Sequence, residues 1–183
     1  MKQRTGLLIV YTGNGKGKTT AALGAVFRAL GHGWKVAVIQ FVKGDWPIVY
    51  GEQESAKRFE QNGQLLFVQK GTGFVRIMGD KKPIEVHIQA AKEALKFAES
   101  VLGDPGYDLV VLDELNGAIE GGLLDIPSVI QALSKRPKSH YTIITGRRAA
   151  PEIIQMADLV TEMAEIKHPF KEKKLPAQLG IDY

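Results

Sequence analysis

The sequence predicts an α/β fold in which a mostly parallel central sheet of about six strands is flanked by helices. Three observations carry that prediction. Short apolar runs alternate with longer stretches of helical periodicity, the order a parallel sheet needs because each crossover takes a helix. A glycine-rich stretch separates the first apolar run from the first helical stretch, and a later apolar run ends in two adjacent acidic residues. With 183 residues and 44% hydrophobic content, the chain can bury one substantial core, and residues 1–183 are expected to form a single domain.

In order, residues 6–11 form the first strand-like run. The glycine loop 13–20 follows, and residues 21–30 continue with helix-favouring residues and an apolar face. Residues 34–41 read as the second strand and 65–68 as a short third. The clearest helix spans 84–102, where Val86, Ala90, Ala91, Ala94, Leu95 and Ala98 recur near helical spacing and Pro83 suits its first turn. Strands are predicted over 109–112, 141–145 and 159–163. Glycine, proline and charge interrupt the pattern over 43–51 and 70–82, which are therefore loops. In an open α/β sheet, ligands bind beyond the carboxyl ends of the strands, where such loops emerge.

The loop Gly13-Asn14-Gly15-Lys16-Gly17-Lys18-Thr19-Thr20 reads as a phosphate-binding P-loop built one residue short. The usual pattern puts its first glycine five positions before the second; here that position holds Thr12, and Gly13 stands only four before Gly17. A P-loop wraps backbone N–H groups around phosphate at the positive end of a helix, so a shorter wrap changes which phosphate is cradled or how the nucleotide lies. Lys18 is assigned to the terminal phosphates and Thr19 to Mg²⁺. A purely structural turn would need neither the two lysines nor the paired threonines.

Residues 108–114 have the form of a Walker B strand, which delivers Asp113, with Glu114 beside it, to a metal on the P-loop side. Solvated acids at a strand end are the bland alternative. These two motifs are compatible with ATPase, kinase or other nucleotide chemistry.

The chain has no cysteine, which excludes disulfides and thiolate metal sites. No apolar stretch approaches the roughly 18 residues that span a bilayer, and the start lacks a signal-peptide core, so a cytoplasmic protein without a membrane partner is expected. The formal charge of +4 and pI near 9.2 suit an anionic ligand without requiring nucleic acid.

Further residues narrow the choice. After the P-loop come Arg28-Ala29-Leu30-Gly31-His32-Gly33, Gln40-Phe41-Val42-Lys43-Gly44, Leu112-Asp113-Glu114-Leu115-Asn116, Arg136-Pro137 and Thr145-Gly146-Arg147. Residues 157–163, Lys167-His168-Pro169-Phe170 and Ala177-Gln178-Leu179-Gly180-Ile181-Asp182-Tyr183 complete the set. From Leu7 to Tyr183 the chain closely resembles the P-loop type of ATP:corrinoid adenosyltransferase, the cob(I)yrinic acid a,c-diamide adenosyltransferase family.

The resemblance implies a RecA-like P-loop fold and a reaction in which a cobalt(I) corrinoid attacks the 5′ carbon of ATP and releases triphosphate. It also implies that ATP lies reversed in the short loop, in accord with the truncation. Cobalt is itself the nucleophile, so the protein must align it and stabilise charge on the leaving triphosphate rather than supply a base. By position, Gly13, Asn14, Gly15, Lys16, Gly17, Lys18, Thr19 and Thr20 would contact the triphosphate, with Arg28 and Arg147 as further nucleotide contacts or as plain salt-bridge residues. Thr19, Asp113 and Glu114 would hold Mg²⁺ or Mn²⁺. Gln40, Lys43 and Gly44 would line the corrinoid pocket, unless they form a plain solvated loop. His168 reads as a hydrogen-bonding residue before a cobalt ligand. Lys18, Thr19 and Phe74 are the expected catalytic groups.

Where the family shows Gly-x-Gly-Phe-Thr-Trp, this chain reads Gly71-Thr72-Gly73-Phe74-Val75-Arg76. Phe74 and Arg76 would face the corrinoid, but Arg76 cannot supply the apolar wedge of a tryptophan, though its planar guanidinium could stack or pair. The first strand is expected within a few residues of Met1, without the N-terminal segment that some members fold over the site. An electron-donating flavoprotein and a second copy of the chain, as a homodimer, are the implied partners; nucleic acid and membrane are not. Two rival readings stand: a RecA-like nucleic-acid-stimulated ATPase, and a non-catalytic nucleotide or corrinoid carrier.

Overall fold

The computed structural model describes residues 5–44, 50–73, 75 and 79–183. Six strands form one parallel sheet in the order β3-β2-β4-β5-β1-β6, with β1 Leu8–Thr12, β2 Val36–Gln40, β3 Leu65–Gln69, β4 Leu109–Asp113, β5 Tyr141–Thr145 and β6 Leu159–Glu162. Each predicted strand is found; the fifth keeps its predicted limits and the others shift by a residue or two at one or both ends. The helices are α1 Lys18–Gly31, α2 Gly51–Glu60, α3 Ile84–Leu102, α4 Leu115–Glu120, α5 Ile126–Leu133, α6 Pro151–Met156 and α7 Pro169–Lys173.

Strand periodicity divides the core into two layers. Val110 and Leu112 join Ala37, Ile39 and Ile144 under α3 and α5, whereas Leu109 and Val111 join Val36, Val38 and Ile143 under α1. Because side chains alternate along a strand, both faces of β2 and β4 are buried, as a sheet covered by helices requires. All four residues of β6, by contrast, are exposed at the sheet edge. Helix α2 is the one substantial element that periodicity does not reveal: its ten residues are mostly polar and bury only Ala56.

The 13–20 loop, the ends of β2 and β4, and the start of α2 meet at the carboxyl edge of the sheet. Among the described residues no helix is long and apolar enough to cross a membrane.

Candidate active site

The first strand hands the chain to α1 through the glycine loop, and the glycines are there for fit as well as flexibility. Gly13 adopts φ +96°, and a Cβ on it would sit 2.5 Å from the Met163 carbonyl oxygen; one on Gly15 would sit 2.6 Å from that of Ala164. The segment continuing β6 therefore presses against the loop. It also takes one of the loop's donors, since the Gly15 N–H bonds the Met163 carbonyl at 2.7 Å. An uninterrupted wrap of free amides, expected from the motif, is thus broken at Gly15 by its neighbour in space. Gly17, at φ +109°, opens α1.

Lys18 follows at the helix start. Its buried ammonium donates to the carbonyls of Gly13 and Gly15 at 2.8 and 2.7 Å, which holds the loop closed around it. Burial lowers its pKa, Glu114 and Asp113 work against that, and Arg147 adds to it.

Asp113 ends β4 and is 1% exposed. Its Oδ1 accepts from the Thr19 hydroxyl at 2.8 Å and the Thr145 hydroxyl at 2.6 Å, and its Oδ2 accepts from the Gln40 amide at 2.8 Å. Thr145 also receives the Glu114 N–H at 2.9 Å. Glu114 takes φ 61°, an uncommon conformation for a side chain of its size, at the N-terminus of α4. Burial and the adjacent Asp113 push its pKa up, while Lys18, Lys43 and Arg147 pull it back. Two carboxylates and a hydroxyl thus face a cluster of cations.

These groups fit a magnesium ion brought in with phosphate. Magnesium prefers hard oxygen donors and usually takes one or two carboxylates, completing its shell with water and phosphate.

A cavity of about 930 Å³ opens from this corner. Residues 14–20, Lys43, Glu114 and Arg147 line it. Gly51, Glu52 and Ser55 of α2, and residues 180–183 of the tail, line it too. The α2 wall carries no motif, and only tertiary packing brings it here. Lys43 sits 2.9 Å from Glu52 and 4.4 Å from the centre of the Tyr50 ring. Its pKa is raised: burial opposes the charge, but Asp113 and Glu52 outweigh it. Lys16 pairs with Asp182 of the tail, tying the tail to the loop.

Several expected residues lie elsewhere. Arg28 is exposed in the last turn of α1, ten residues or about 15 Å of helix rise beyond Lys18, and does not reach the cavity. Gln40 is fully buried behind the cavity with its amide on Asp113, because the even-numbered residues of β2 face α1 and the sheet. Gly44 is packed against the Gly71 carbonyl, where a Cβ would approach to 1.8 Å. Phe74 and Arg76 lie outside the described residues. His168 caps α7, its Nδ1 accepting from the Phe170 N–H at 3.2 Å. A second cavity of about 640 Å³ lies beside the first, bordered by Asn14, Arg147, Arg148 and His168.

Comparison with known proteins gives this arrangement a family. Residues 4–183 match the family model described as ATP:corrinoid adenosyltransferase BtuR/CobO/CobP. The corrinoid adenosyltransferase of Escherichia coli K12 is 43% identical over 178 residues, covering 97% of this chain and 86% of that protein. Corrinoid adenosyltransferase CobA of Salmonella typhimurium LT2 is 41% identical over 182 residues, covering 100% and 88%. Among solved structures, the flagellar accessory protein FlaH of Methanocaldococcus jannaschii superposes with a TM-score of 0.56 at 14% identity, covering 87% of this chain and 71% of that one. That likeness shows the fold, which is RecA-like. The short loop, the Asp113–Glu114 strand end and these matches lead to one conclusion: the chain belongs to the BtuR/CobO/CobP family of ATP:corrinoid adenosyltransferases, and is a transferase.

Proposed function

We propose that the 930 Å³ cavity binds ATP with its triphosphate on residues 13–20, and that a cobalt(I) corrinoid attacks the 5′ carbon there. The cobalt–carbon bond forms as the bond from C5′ to the triphosphate oxygen breaks, and inorganic triphosphate leaves. The observation that carries this reading is the clamped short loop. With one residue missing and the Gly15 amide held by Met163, the triphosphate is cradled in a register unlike that of a full-length P-loop. A shifted register suits displacement at C5′ rather than at the γ-phosphorus.

Lys18 and Arg147 would stabilise the charge that grows on the leaving triphosphate, with Lys16 closing over it once Asp182 yields. Thr19, Asp113 and Glu114 would hold Mg²⁺, which when bound neutralises phosphate charge. Lys43 and the described ends of the 70–82 loop would border the corrinoid, with Phe74 and Arg76 beside it. Cobalt(I) requires a low-potential one-electron donor, and a flavoprotein is the class proposed; the net charge of +4 favours an acidic partner. The open edge at β6, where Leu159 and Val160 are 42% and 41% exposed, supports a homodimer, which sedimentation would test.

The reaction test is direct. ATP, Mg²⁺ and chemically reduced corrinoid should yield adenosylcorrinoid and triphosphate in equal amounts. Orthophosphate as the only phosphate product would overturn the reading in favour of an ATPase, and binding without product would favour a carrier.

A further inference from the structure

Three glutamines stand in a row that the motifs do not account for. Gln69, Gln40 and Asp113 are cross-strand partners in register at the carboxyl ends of β3, β2 and β4. Their side chains are joined in one direction. The Tyr50 N–H donates to Gln53 Oε1 at 3.0 Å, and Gln53 Nε2 donates to Gln69 Oε1 at 2.6 Å. Gln69 Nε2 donates to Gln40 Oε1 at 2.7 Å, and Gln40 Nε2 donates to Asp113 Oδ2 at 2.8 Å. Each amide spends its oxygen on the previous donor and its nitrogen on the next acceptor, so the polarity of the row is set by its last member. A carboxylate only accepts, and a reversed Gln40 would turn its carbonyl oxygen against it.

The row begins on α2, whose first turn lines the cavity, and ends on the carboxylate that also holds Thr19. Gln40 is fully buried and Gln69 partly so, and an apolar residue at 40 would leave the buried Oδ2 of Asp113 without its donor, so the row serves the carboxylate at its end.

We infer that Gln53, Gln69 and Gln40 are positioning residues, which fix the orientation of Asp113 and transmit to it the position of the first turn of α2. The inference rests on the proposed role of Asp113 toward the metal of the nucleotide. A group bonded directly to a metal ligand changes metal affinity by about tenfold to a hundredfold when removed. Gln53 stands two hydrogen-bonded residues farther back, so its effect should be smaller.

Gln53→Glu isolates the relay from the helix cap. The carboxylate still accepts the Tyr50 N–H, as glutamate does at this position of a capping box, but it has no hydrogen to give Gln69. Manganese with ATP, followed by Mn²⁺ spin resonance and calorimetry, reads the metal complex without turnover. The expected result is a dissociation constant for Mn²⁺–ATP raised about threefold to tenfold, with metal-free ATP affinity unchanged. The melting midpoint without ligand should hold within about 2 °C. Gln69→Met should act in the same direction, and in turnover both variants should need more metal while kcat recovers at saturating metal. Unchanged Mn²⁺–ATP affinity in both variants, or an equal loss for metal-free ATP, overturns the relay. Asp113→Asn separates the two levels. If it weakens the metal complex while the glutamine variants do not, only the relay falls; if it too has no effect, the metal reading falls and takes the relay with it.

Discussion

The two walls of the cavity are held by opposite means. On the phosphate side the backbone does the fitting: Gly13 and Gly15 lie against residues 163–164 too closely for any side chain, and Lys18 is bonded to the loop's own carbonyls. On the other side, where Lys43 lines the cavity, the strand ends at 42–44 and 71–73 behind it are joined by two backbone bonds, Gly71 N–H to the Lys43 carbonyl and Gly73 N–H to that of Val42. Side chains hold the rest. His87 bonds Thr72 at 2.8 Å and Asp80 at 3.0 Å, Lys82 bonds the Thr72 carbonyl at 2.7 Å, and Lys43 pairs with Glu52. A backbone cradle has one shape and suits an invariant triphosphate. A wall hung on side chains can be retuned by substitution, which suits the bulkier and more variable second substrate proposed here.

The contrast implies that each wall can be damaged alone. The largest effect is expected from Lys18→Ala, which removes the buried cation of the phosphate wall. Loss of one donor to developing charge costs about a hundredfold to a thousandfold in rate. Adenosyl transfer should fall by that amount and ATP should bind more weakly, while corrinoid binding, measured spectroscopically without ATP, stays as it was. An equal loss of corrinoid affinity would show that the two walls are one mechanical unit.

The converse is His87→Phe. The imidazole is buried on α3 and bonds both Thr72 and Asp80, so the substitution removes its contacts to both. Losing a buried polar contact of this kind costs about 1–3 kcal/mol of stability. The KM for corrinoid should rise severalfold with the KM for ATP unchanged. His87→Gln, which can still bond one partner, should restore part of the difference. A matched rise in both KM values would break the comparison.

How much of this the amino-acid sequence discloses follows the same division. The phosphate wall is local: strand, loop and helix are contiguous, and Asp113–Glu114 ends a strand whose apolar pattern is plain, so residue types and spacing expose it. The other wall is assembled at long range. Helix α2 has almost no buried face, so nothing periodic marks it. The glutamine row depends on strand register, and Thr145 reads as an ordinary β-former until β5 is placed beside β4. Arg28 shows the reverse: near the loop in sequence, it is carried away from the cavity by the rise of α1. That Gly13 and Gly15 answer to Met163 and Ala164, about 150 residues later, could not be read from the loop either.

The smallest effect is expected where the two walls meet, at Glu114. Burial and Asp113 raise its pKa, so the folded chain holds this proton more tightly than the unfolded chain does. Its contribution is therefore most favourable below the unfolded value of about 4.5, and is lost as pH rises from there through the raised folded value. Glu114→Gln removes that loss, since a neutral amide pays no charge desolvation. Without ligand, the variant should melt at a higher temperature than the parent at neutral pH, and the gap should close as pH falls toward the unfolded value. With Mg²⁺ and ATP the order should reverse, because the ionised carboxylate then has a cation to meet. If the variant is no more stable at neutral pH, Lys18, Lys43 and Arg147 already compensate the buried charge before nucleotide arrives, and the two walls share one electrostatic centre rather than standing apart.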